Sequence, residues 1–264
     1  METRTGMETE ELAGNGQIKS VEKAIKLLGI FDANHKHLTY SEICLLSKMP
    51  VGSVYRFLLT LNKCGFLDYD TSTKKYSLGP KIIYLGNLAT ESIDLVKIAH
   101  PFMEEIRRIT NETVSLFIRR DFKKICICKV ESEHSIRYSS RVGEMVYLHG
   151  GASGKVLMST FSKNELDRYE KEEGFKSLTS TTLTKRSQVE EALRKTREDG
   201  YAISSAERSE NSAGIGVPIF DCNKKAVACL NITLPSDRYD QTKIPEWIDL
   251  LKKAGLEISR RNGY

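Results

Sequence analysis

The stretch YLHGGASGKVL, residues 147–157, gathers residue types that carry out chemistry: a histidine, a serine among glycines, and a lysine directly after Gly154. A phosphate-cradling Walker loop needs G-x-x-x-x-G-K-[ST] between a strand and a helix. Counting back from Gly154, the first glycine should stand at 149, where the chain has His149. The magnesium-binding hydroxyl expected after Lys155 is replaced by Val156. A nucleophile elbow needs G-x-S-x-G, which Gly151-Ala152-Ser153-Gly154 does not supply, and no His/acid pair stands out to activate Ser153. What remains is backbone. Gly150, Gly151, Ala152 and Ser153 lead into the helical segment of Val156 and Leu157, so their N–H groups fall at a helix start, where an anion is favoured. A small carboxylate fits that description. A turn that needs glycine only for its conformation is the other reading.

Metal chemistry has less to work with. Six cysteines (44, 64, 126, 128, 222 and 229) include no C-x-x-C pair, and the histidine nearest Cys126 and Cys128 is His134. Two apart on a strand, Cys126 and Cys128 are expected on one face, as buried reduced thiols. No catalytic residue, metal or cofactor is therefore expected. A length of 264 residues leaves room for two domains, and 40% apolar with 28% charged residues describes a soluble globular chain. No apolar run approaches the roughly 18–20 residues of a membrane span. Residues 1–16 are acidic without the apolar region of a secretory signal, so a disordered leader and a cytoplasmic location are expected.

Net charge is +5 overall, and residues 17–80 hold nine basic side chains against five acidic ones. That local excess suits a polyanionic partner. The elements there are specific. SVEKAIKLLGIF has helical apolar spacing, with Ser20 as its expected N-cap. LTYSEICLLS opens on the capping box Thr39–Glu42, and VGSVYRFLLTLNKCG is a third helix closed by Gly65. FLDYDTSTKKYSL then reads as a strand, a turn and a returning strand. Three helices and a hairpin make a winged helix-turn-helix over 17–80, whose second motif helix lies in the major groove of double-stranded DNA. Ser53, Tyr55, Arg56 and Thr60 are expected on its groove side, and Lys74 and Lys75 at the wing tip on phosphates.

Beyond Pro80 a helical pattern places Ile82, Ile83, Leu85 and Leu88 in an apolar stripe over a stiff linker, 81–95, that a second subunit would cover. His100-Pro101 is expected to break or kink the following helix. Strands are expected at 113–120, 124–131 and 135–141. Helices follow at SGKVLMSTF, at SKNELDRYEKEE (capped by Ser162 with Glu165) and at KRSQVEEALRKTRED, closed by Gly200. Strands YAISSAE, AGIGVPIFD and AVACLNITLP and a final amphipathic helix complete an α+β fold over 96–264.

The order and spacing of SVEKAIKLL, VGSVYRFLLTLNKCGFL, KKYSLGPKIIYLG, VGEMVYLHGGASGKVLMS, EDGYA and VPIFDCNKKAVACLNITLP resemble the isocitrate lyase regulator (IclR) family over nearly all of residues 17–260. The resemblance implies a winged helix, a linker helix and a GAF-like effector-binding domain, acting on operator DNA as a homodimer or dimer of dimers. It also implies regulation of a catabolic operon, with repression the family habit, in response to a small organic acid. Carried over position by position, the effector pocket comprises Ser135 and Tyr138 on one strand, Ala152 and Ser153 in the glycine loop, and Ser204, Gly214, Asn231 and Thr233 on later strands. Ser204 stands where family members often carry Asp or Glu, Gly214 where Cys is frequent, and Asn211 where Gly is common. With no Arg or Lys placed inside, affinity for an acid is expected to be micromolar or weaker, about −8 kcal/mol at best. The competing expectation is an enzyme acting on a small acid in the same cavity.

Overall fold

The computed structural model describes residues 18–264 apart from 33, 92, 93 and 139. The expected leader, 1–16, lies outside them. Two compact units meet at Ala89–Thr90, within the last turn of a helix.

In the first unit α1 (Lys19–Leu28), β1 (Leu38–Thr39), α2 (Tyr40–Ser47), α3 (Val51–Lys63), β2 (Leu67–Asp70) and β3 (Lys75–Leu78) enclose one core. The three strands form an antiparallel sheet in the order β1-β3-β2. Leu27 of α1, Ile43 of α2, Val54 and Leu58 of α3 and Leu67 of β2 are fully buried there, with Leu38 of β1 and Tyr76 of β3 packed into the same core. The Thr39–Glu42 capping box forms as expected. Ser20 does not cap α1. The N–H groups of Val21 and Glu22 both bond to the carbonyl of Ile18, which draws Lys19 and Ser20 into the helix and makes Ile18 the N-cap. Helix α4 (Pro80–Glu91) follows, with Pro80 opening its first turn.

The second unit is a six-stranded antiparallel sheet in the order β6-β5-β4-β9-β8-β7. Its strands are β4 (Thr113–Arg120), β5 (Lys123–Val130), β6 (Met145–Tyr147), β7 (Ala202–Ser205), β8 (Ser212–Phe220) and β9 (Ala226–Pro235). Helices α5 (Asp94–Thr110) and α9 (Ile244–Arg261) cover one face through Met103, Ile106, Leu251 and Ile258. On the other face lie α6 (Ala152–Met158), α7 (Lys163–Glu172) and α8 (Arg186–Asp199), packed through Val156, Leu157, Tyr169 and Leu193.

Three sequence expectations are corrected here. Helix α5 runs through Pro101 unbroken: the proline removes one backbone bond, while burial of Ala99 and Met103 on either side holds the helix to the sheet. The described residues of 135–141 form no strand. Side-chain bonds shape the segment instead: Arg238 donates to the carbonyl of Ile136 (3.0 Å), and Arg137 reaches back to the carbonyl of His134 just before it (3.2 Å). Arg238 is itself fixed by a two-pronged bond to the buried Glu112 (2.6 and 2.7 Å). Cys126 and Cys128 face opposite sides of the sheet. A β-bulge in the β4–β5 ladder pairs Phe117 with Cys126 but Leu116 with Cys128, so Ile127 is the extra residue and reverses the alternation. All six cysteines are free thiols.

Candidate functional site

In the first unit the second motif helix, α3, turns Val54, Leu58 and Leu61 inward and leaves Arg56 exposed at the middle of its outer face. Because a helix advances about 100° per residue, Ser53 and Thr60 fall on one flank of Arg56 and Tyr55 on the other. The four expected residues therefore do not form one strip. Ser53, Arg56 and Thr60 border a shallow recess shared with Ser20 and Lys23 of α1. Tyr55 stands edge-on to Tyr40 (6.3 Å between centroids), whose hydroxyl donates to the carbonyl of Val51 and fixes the start of α3. Thr60 spends its hydroxyl proton on the carbonyl of Arg56 (2.8 Å). Lys74, at φ +56, and Lys75 are exposed at the β2–β3 turn. That turn is drawn tight by the Asp70 carboxylate, which accepts from Ser72 (2.6 Å) and Thr73 (2.8 Å). Lys23 adds a cation beside Arg56 that sequence reading did not single out, because only the packing of α1 on α3 brings it there.

In the second unit a cavity of about 380 Å³ opens on the sheet face that carries α6. Its floor is set by register. Ser204, Gly214 and Thr233 lie side by side on β7, β8 and β9, with Asn231 two residues back along β9. A Cβ at Gly214 would stand 3.4 Å from the Ser204 hydroxyl, so glycine keeps that floor open. Asn231 donates to the Thr233 hydroxyl (2.8 Å) and to the carbonyl of Ile232 (2.9 Å). Ser115, opposite Asn231 in the ladder, is buried and its hydroxyl has no hydrogen-bond partner among the described residues. Tyr138, Ala152 and Ser153 complete the set of expected residues that line the cavity. Ser135 does not line it: with no strand over 135–141 it is exposed.

The glycine loop is shaped by packing. Gly151 takes φ +82, a conformation that side chains disfavour. A Cβ on Gly154 would lie 1.5 Å from the carbonyl oxygen of Leu148, so only glycine lets α6 approach the preceding turn. Lys155, the lysine of the apparent phosphate motif, points elsewhere. Its ammonium bonds to the carbonyl of Ile203 (2.9 Å) and to the Glu207 carboxylate, a largely buried ion pair that ties α6 to the end of β7. His149 is also occupied: Tyr169 donates to its Nδ1 (2.7 Å) and its Nε2–H donates to the carbonyl of Lys176 (2.8 Å). Burial lowers its pKa, which keeps the ring neutral.

The expectation of a cavity without cations is overturned. Lys124 is 1% exposed and lines the cavity, its ammonium donating to the Ser153 hydroxyl (2.9 Å) and to the carbonyl of Gly150. Burial, followed by the charge of Arg208, lowers its pKa to about 7. Arg208 lines the outer part, donating to the Ser140 hydroxyl (2.9 Å) and lying 3.6 Å from Glu144. Arg141 is a further lining cation. No cluster of His, Cys, Asp or Glu suited to a metal exists among the described residues, and no described helix is long and apolar enough to cross a membrane.

Comparison with known proteins places both units. Residues 20–71 match the IclR helix-turn-helix domain, and residues 87–260 match the bacterial transcriptional regulator IclR C-terminal domain. The chain is 32% identical to the HTH-type transcriptional regulator KipR of Bacillus subtilis, over 93% of this chain and 98% of KipR. It is 30% identical to the HTH-type transcriptional regulator KdgR of Escherichia coli, over 94% and 95% of the two chains. The crystal structure of the Thermotoga maritima IclR superposes with a TM-score of 0.78 at 33% identity, covering 94% of this chain and all of that one. Matched in both units, and related to regulators along nearly its whole length, the chain belongs to the IclR family: it is a DNA-binding transcriptional regulator and not an enzyme.

Proposed function

We propose that this regulator is a repressor of a catabolic operon in the cytoplasm, and that a small organic acid in the cavity of the second unit changes its affinity for operator DNA. The observation that carries the reading is Lys124, a buried ammonium lining a polar cavity with no carboxylate in salt-bridge reach among the described residues. An anion entering the cavity supplies the missing countercharge. Ser153, Ser204, Asn231 and Thr233 offer hydrogen bonds to the rest of the ligand, and Tyr138 a wall.

On the DNA side Arg56 and the Lys74-Lys75 tip hold phosphates, with Ser53, Tyr55 and Thr60 flanking. Two copies pair through α4, where Ile83, Leu85 and Leu88 are exposed and Ile82 is half-buried. In such a dimer Arg56→Ala removes two phosphate contacts, and the slope of log K against log salt flattens by roughly 2. Anisotropy titrations across a salt series read this, and an unchanged slope would take Arg56 out of the interface. Leu85→Lys is expected to shift sedimentation towards monomer. A variant that stays dimeric places the pairing surface elsewhere.

A further inference from the structure

The cations of the cavity differ in depth: Lys124 is 1% exposed, whereas the Arg208 side chain is 32% exposed. Lys124 lies at its inner end, where it spends two protons on Gly150 and Ser153. Arg208 starts beside it and reaches away. A Cβ built on Gly151 would come within 4.0 Å of the Lys124 ammonium, 3.8 Å of the Arg208 Cβ and 3.6 Å of the Ser204 hydroxyl. Gly151 thus leaves open the space between the two side chains. The Arg208 guanidinium donates to the hydroxyl of the buried Ser140 and makes a loose contact with Glu144 in which both side chains are partly exposed. Arg141 lines the same end, and its side chain has no hydrogen bond or ion pair among the described residues. Among the described residues Glu144 is the single lining carboxylate, so the mouth keeps one excess positive charge and the inner end another. Between them the lining is neutral: Phe117, Ser204, Asn231 and Thr233.

We infer that the effector carries two anionic groups at opposite ends, a dicarboxylate in its simplest form, with Lys124 reading one and Arg208 with Arg141 reading the other. This rests on the proposal that the cavity binds an acid, and it names the class of acid. A monocarboxylate neutralises one end and leaves the other charge unanswered, whereas a short dicarboxylate answers both. Two separated cations also discriminate by length, because a chain too short reaches only one of them.

The test is isothermal titration of the full-length protein with the linear dicarboxylates from malonate to adipate, each against the monocarboxylate of equal chain length. At least one dicarboxylate is expected to bind about tenfold or more tightly than its monocarboxylate partner. The double variant Arg141→Gln, Arg208→Gln, altered only at partly exposed positions, is expected to shrink that ratio to about threefold or less. Equal binding of the paired acids, or a preference that survives the double variant, overturns the two-anion inference while leaving an acid-binding cavity intact. If neither class binds at millimolar concentration, the acid-binding reading falls and the inference falls with it.

Discussion

Replacing Lys124 with methionine is expected to stabilise the unliganded protein by about 2 kcal/mol at pH 7 and to remove its response to acids. In the unfolded chain this lysine holds its proton with the ordinary pKa of 10.5, and in the fold the value is about 7. Between those values the unfolded state binds more protons, so this lysine's contribution to stability rises with pH from about 7 to about 10 and is lowest below 7. At neutral pH the buried proton costs about 4 kcal/mol. Methionine fills similar volume without the charge but leaves the Gly150 carbonyl without its donor, which costs about 1–3 kcal/mol. The net gain appears as a melting temperature raised by about 5 °C and as loss of the stability increase between pH 7 and 9. The same group couples ligand binding to pH. A bound carboxylate favours the charged lysine, so binding above pH 7 takes up a proton and weakens as pH rises, by up to about tenfold per unit. Acid affinity that stays flat between pH 7 and 9 would show that Lys124 does not meet the ligand.

Gly154→Ala is expected to cost the second unit about 4 kcal/mol or more, beyond the usual overpacking penalty of about 1–3. The added Cβ would stand 1.5 Å from the Leu148 carbonyl oxygen and 2.7 Å from its carbon, and both are backbone, so no side-chain rotation relieves it. Helix α6 must lift from the turn, which also separates Lys155 from Glu207. Gly263→Ala, with open space around the new atom, serves as a comparison, although its φ of +94 carries its own modest strain. Denaturant unfolding that gives the Gly154 variant wild-type stability would mean the loop adapts freely.

Local rules made much of this fold legible. The boxes Thr39–Glu42 and Ser162–Glu165 mark helix starts with two reciprocal bonds each, and Gly200 closes α8 in the left-handed conformation its position asks for. Strand 113–120 follows its apolar run residue for residue. Failures occur where distant partners decide. The alternation of Ile136 and Tyr138 looks like a strand, but Arg238, about a hundred residues away, takes the Ile136 carbonyl. The bulge at Ile127 is set by the ladder with β4 and leaves no mark in the alternating run KICICKV. The cavity was legible through the family resemblance, seven of whose eight positions do line it, but its charge was not. A lysine at the start of a strand reads as solvent-facing. Lys124 is instead buried, with β6 paired alongside it and the glycine loop on its ammonium. Its parity with Cys126 on β5 was the available signal, since both lie on the face that α6 covers.

The direct test of acid-controlled DNA binding is an anisotropy titration of an operator duplex, recovered by selecting genomic fragments on the protein. Wild type and Lys124→Met are each titrated with and without a saturating acid that stabilises the wild type. The acid is expected to change the wild-type Kd for the duplex by about tenfold or more and to leave that of Lys124→Met unchanged, with the two proteins binding alike in its absence. An equal shift in both proteins, or a bound acid that leaves wild-type DNA affinity untouched, would contradict control through the Lys124 cavity.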